Sequence, residues 1–205
     1  MFKTKLLYLL VLSFALKNIL AQPDSAHVDE EPSPQTPKQH LFMFSVEGFK
    51  NLTSFYVNKA ANISDKVLKD ATFNDAANGH IVLQKFKQNL TDFLNRYQKH
   101  QEFEELFELV ELYSNTTSDY YEMTREQLNP DMEMIVNVLR KYGSEKLDQD
   151  FKVMYEQFVE DFKVEFRKVE MYLDKNMLDW FEQFKTIQEM NARTEAFEKF
   201  IMFYL

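Results

Sequence analysis

A step of four, three and four residues from Phe151 lands on Tyr155, Phe158, Phe162, Phe166, Val169, Leu173, Met177, Trp180, Phe184 and Ile187, all apolar and most of them aromatic. Eleven residues make three helical turns plus about 20°, so the stripe keeps to one face of a helix. Aromatic rings and methionine suit an adaptable apolar binding surface. The chemistry on offer is burial of an acyl chain or a ring. The candidate ligand-binding residues are therefore Phe151, Tyr155, Phe158, Phe162, Phe166, Met177, Trp180 and Phe184. The same spacing also serves plain packing between helices. After Ile187 the register slips by one and resumes at Met190, Phe197, Ile201 and Tyr204, with Arg193 and Thr194 as a gap.

A second chemistry is marked by Asn51, Asn62, Asn89 and Asn115, each followed two positions on by Thr or Ser. In a secreted chain these are glycan acceptors on a solvent-facing surface. All four fall in the span 51–117 and none after it, which suggests a sugared surface there and a C-terminal part free of sugar. Catalytic patterns do not emerge. His27, His40, His80 and His100 form no i, i+4 pair and no HExxH, and no EF-hand loop is present. Glycine patterns of hydrolases, P-loops and dinucleotide sites are also missing. The expectation is a protein that is not an enzyme and needs no metal or cofactor.

The compartment follows from the start of the chain. Lys3 and Lys5 precede an apolar run from Leu6 to Leu16, interrupted by Lys17, too short to span a bilayer and fit for a secretory signal. Cleavage is expected after Ala21 or Ala15, giving a signal at 1–21. Residues 22–39 carry four of the five prolines and read as a disordered, acidic spacer. Residues 40–205 read as one all-helical domain. No later run reaches transmembrane length, so the mature chain is expected to be soluble and extracellular. A formal charge of −9 argues against nucleic acid as a partner. There is no cysteine, and 3 glycines are too few for the frequent turns of a β-sandwich.

Hydrophobic periodicity places the helices that hold these residues. One is expected over about 40–71, a break at 74–79, and a second helix over 81–113, antiparallel to the first. Ser114–Asp119 reads as a polar break, and Thr124-x-x-Gln127 as a capping box. Asn129-Pro130-Asp131 opens a helix that stops at Gly143. Ser144 is a candidate cap for a last pattern over 145–204, with breaks or bends foreseen at Asp174–Asn176 or Asn191–Arg193. The fold class expected is all-α, an elongated antiparallel bundle of long amphipathic helices.

The eleven-residue periodicity, over about forty residues, resembles that of exchangeable apolipoproteins and insect lipophorin-associated bundle proteins. That resemblance implies contact with lipid. Here the polar face mixes signs through Glu156, Glu160, Lys163, Glu165 and Arg167, where those families set Lys at the boundary and acids at the centre. The expected function is binding or carriage of a hydrophobic, lipid-like ligand by parting helices along the aromatic face. The alternative is an extracellular interaction or structural protein that works through a helix surface or self-association, with a protein partner and no small ligand.

Overall fold

The computed structural model describes residues 36–99, 103–124 and 126–204. The expected signal and the spacer as far as residue 35 lie outside them. The described residues form eight α-helices and no strand. These are α1 (Pro37–Lys69), α2 (Ala71–Ala77), α3 (Ile81–Lys99), α4 (Phe103–Glu122), α5 (Pro130–Lys141), α6 (Ser144–Val169), α7 (Lys175–Thr186) and α8 (Met190–Ile201). Short 3₁₀ turns follow α6 and α8, at Glu170–Tyr172 and Met202–Tyr204. The class is all-α. No described helix is long and apolar enough to cross a membrane. Contacts group the described residues into two compact units, one within 51–155 and the other joining 36–50 to 156–204.

In the first unit α3 packs against α2, α4 and α5, and α4 against α5. Its core is set by Val57, Val67, Phe73, Phe86, Leu90, Phe93, Tyr113, Ile135 and Leu139. The joints follow local chemistry. Gly79 and Gly143 adopt φ of +104° and +89°, a left-handed conformation that ends a helix without a Cβ clash. Asn129 caps α5 by accepting from the Met132 N–H at 3.0 Å, with Pro130 at the first helical position. Thr124 and Gln127 do bond, Thr124 N–H to Gln127 Oε1 at 2.8 Å, but they close a turn and not a helix start. Ser144 begins α6, and its hydroxyl lies 3.3 Å from the Tyr113 hydroxyl.

Ser114–Asp119 is not a break: α4 continues through it to Glu122. Ser114, Thr116 and Thr117 are turned inward, and the two threonines bond their own helix. Thr116 Oγ1 donates to the Leu112 carbonyl at 2.8 Å and Thr117 Oγ1 to the Tyr113 carbonyl at 3.0 Å. A hydroxyl satisfied in this way can be buried, which is why a polar run passed for a loop.

Asp70 links three elements of this unit. It caps α2 by accepting from the Phe73 N–H, and it accepts from Lys141 Nζ at 2.6 Å and the Tyr142 hydroxyl at 2.8 Å. Lys141, then the Phe73 amide and Tyr142, hold its carboxyl down at about 2, below the ordinary carboxylate range. A depressed folded pKa contributes stability that is complete above the unfolded value and lost as pH falls through the folded one. Melting temperature should therefore drop between about pH 4 and pH 2, and Asp70→Asn should flatten that part of the profile. Asn caps as well as Asp does, so Asp70→Ala should cost about 1 kcal/mol more than Asp70→Asn at pH 7. Thermal melts from pH 2 to 7 check both.

In the second unit α1 starts three residues ahead of the expected position. Thr36 N–H donates to Gln39 Oε1 at 2.9 Å and Gln39 N–H to Thr36 Oγ1 at 3.2 Å, a reciprocal box around Pro37. The long C-terminal pattern is broken twice. Asp174 caps α7 through the Met177 N–H at 3.1 Å, at one foreseen position. The other break lies at 187–189, ahead of the foreseen Asn191–Arg193, where Glu189 caps α8. This is the point at which the apolar register slips.

Candidate functional site

The candidate residues divide between the units. Phe151 and Tyr155 belong to the first, where Phe151 sits edge-on to Tyr56 with ring centroids 5.4 Å apart. Phe158, Phe162, Phe166, Met177, Trp180 and Phe184 come together in the second, all of them buried. There the α6 face carries Phe158, Phe162 and Phe166. The hairpin of α7 and α8 lays Trp180, Phe181, Phe184, Phe197 and Phe200 upon it.

Phe162 is the hub of this cluster and is wholly buried. Its ring lies 4.8 to 6.0 Å from those of Phe166, Trp180, Phe184, Phe197 and Phe200, most of them edge to face. Phe166 stacks on Phe181 at 3.9 Å. Phe158 packs against Phe44 and Phe49 of α1 and against Phe197. The C-terminal apolar run docks on the same cluster through Phe200 and Ile201, and Tyr204 meets Phe42 at 4.7 Å.

Polar groups fasten the hairpin. The Trp180 indole N–H donates to the Ala196 carbonyl at 2.9 Å, joining α7 to α8. Arg193, the gap in the sequence stripe, is buried. Its Nε donates to the Ile187 carbonyl at 2.7 Å, and its guanidinium pairs with Glu156 of α6. A charge at a stripe position thus closes the hairpin onto the helix beneath it.

The four acceptor asparagines all stand on helices of the first unit, Asn51, Asn62 and Asn115 exposed and Asn89 half-buried. Their partner hydroxyls face inward: Thr53, Ser64 and Thr117 are buried, and Thr91 donates to the Lys87 carbonyl.

Sequence periodicity did not point to a cleft in the first unit, about 820 Å³ in volume, lined by Tyr120, Tyr121, Leu128, Val136, Arg140 and Asp148 among others. Arg140 donates to Glu145 Oε1 through Nε at 3.0 Å and Nη2 at 2.8 Å. Asp148 accepts a long bond, 3.4 Å, from the Tyr56 hydroxyl. Desolvation pushes the Asp148 carboxyl above its ordinary pKa, against the lowering effect of Tyr56. The Tyr121 hydroxyl is buried beside Ser144 without a well-formed hydrogen bond, and burial raises it to about 12. Its lining keeps helical spacing within α5 (133, 136, 137, 140) and α6 (145, 148, 149), but such a polar face reads in the chain as an ordinary solvated one.

His40 lies 3.6 Å from Glu165, and His80 Nδ1 lies 2.9 Å from Asp131. No group of three or more potential ligands among the described residues could hold a metal ion. Comparison with protein-family models, with curated proteins and with solved structures finds no match for this chain.

Proposed function

We propose that the chain is a secreted, N-glycosylated carrier that takes an acyl chain or apolar ring into the aromatic core of its second unit. The N-terminal signal and Pro-rich spacer support export, and Asn51, Asn62, Asn89 and Asn115 support glycosylation. The observation that carries the reading is the construction of the core. Three phenylalanines of α6 are covered by five rings from two 12-residue helices, α7 and α8, which are jointed at 173–174 and 187–189. Burial of apolar surface is non-directional, so burial of one ring by another can be exchanged for burial of a ligand. Opening would lift the hairpin, break the pair of Arg193 with Glu156, and replace burial by α7 and α8 with burial of the ligand.

Trp180 is the only tryptophan and stands at the centre of this core. Titration with 5-doxyl-stearate, a fatty acid with a quenching nitroxide, should extinguish its fluorescence saturably. Palmitate should compete and restore it. Quenching no greater than that by a water-soluble nitroxide would refute the reading, leaving the stripe as packing and a protein partner as the alternative.

A further inference from the structure

The cleft of the first unit is separate from the aromatic core and asks for a different ligand. Its volume, about 820 Å³, falls within the range of small-molecule sites. Its apolar lining comes from Met123, Leu128 and Val136 with the ring of Tyr120. Its charged lining is Glu133, Glu145 and Asp148 against a single guanidinium, Arg140, which is already engaged by Glu145. Among the described residues no cation pairs with Asp148. Its only hydrogen bond there is the long one from Tyr56.

Carboxylates in excess would repel an anion. A neutral apolar molecule would strip water from Asp148 and give nothing back. An ammonium group does both things the site lacks: it neutralises Asp148 and can rest on a tyrosine face. We propose that the cleft binds a small organic cation, a primary amine on an aromatic or short aliphatic body, with its ammonium on Asp148 and its body between Tyr120 and the Leu128–Val136 wall.

Isothermal titration of the full secreted chain with three matched probes tests this: phenethylamine, phenethyl alcohol and phenylacetate. The amine should bind with one-to-one stoichiometry and the other two should not. Asp148→Asn should weaken the amine by about tenfold or more. Asp148 is exposed and holds one long hydrogen bond, so the same change should leave the melting temperature nearly unchanged, and lost binding would not be lost folding. Asp161→Asn, on the other unit, removes the same charge and should leave the affinity as it was. Absence of binding by phenethylamine, equal binding of phenylacetate, or equal losses in Asp148→Asn and Asp161→Asn would each overturn the proposal. None of these results bears on fatty-acid uptake at Trp180.

Discussion

Phe162→Ala should destabilise the protein by about 3–5 kcal/mol, the usual cost of emptying a phenylalanine site in a packed core. Phe162 is fully buried, and five aromatic neighbours from three helices close around it. Rings held edge to face by one another cannot all lean into the space that one of them leaves. The cavity should stay open, and the loss should fall at the upper end of the range. Against a total stability of about 5–15 kcal/mol, that places the second unit near its unfolding threshold. Urea denaturation followed by Trp180 fluorescence reads this unit directly. Phe162→Leu should recover much of the loss, because it refills most of the volume. A loss below about 1 kcal/mol for Phe162→Ala would mean that the hairpin does not press on α6.

Gly48→Ala should also destabilise, against the usual sign for such a change inside a helix. Alanine at a helical glycine normally gains about 1 kcal/mol. Gly48 lies within α1, and a Cβ there would lie 3.0 Å from Phe158 Cζ and closer still to two other ring carbons. The Phe158 ring has little room to withdraw, since it is buried with the rings of Phe49 and Phe197 at 5.0 and 5.3 Å. Overpacking of this kind costs about 1–3 kcal/mol. The balance should be a net loss of about 1–2 kcal/mol, read from the same urea curves. A gain would show that the ring moves freely and that the aromatic core is looser than drawn.

What could be read from the chain follows from which signals are local. The all-helical class came from period and composition, and Asn129-Pro130, Gly79 and Gly143 mark joints because their chemistry acts on their immediate neighbours. The slip after Ile187 was a true sign of a break, though its place at 187–189 and not at Asn191–Arg193 depended on Glu189 as a cap. The capping box around Pro37 was hidden by the prolines before it. Ser114–Asp119 misled because inward hydroxyls satisfied within the helix look, in sequence, like a loop. Long-range pairing was out of reach altogether. Nothing near Arg193 announces Glu156, and nothing near Asp148 announces Tyr56. The stripe from Phe151 to Phe184 was legible as a face, yet its division between two cores depends on partners that period cannot name.

The most direct test of ligand carriage is mass spectrometry of an organic extract from the protein purified after secretion by eukaryotic cells. A carrier should release a fatty acid or other apolar molecule in near-stoichiometric amount. A clean extract from folded, monodisperse wild-type protein would contradict the account and return the aromatic face to packing alone.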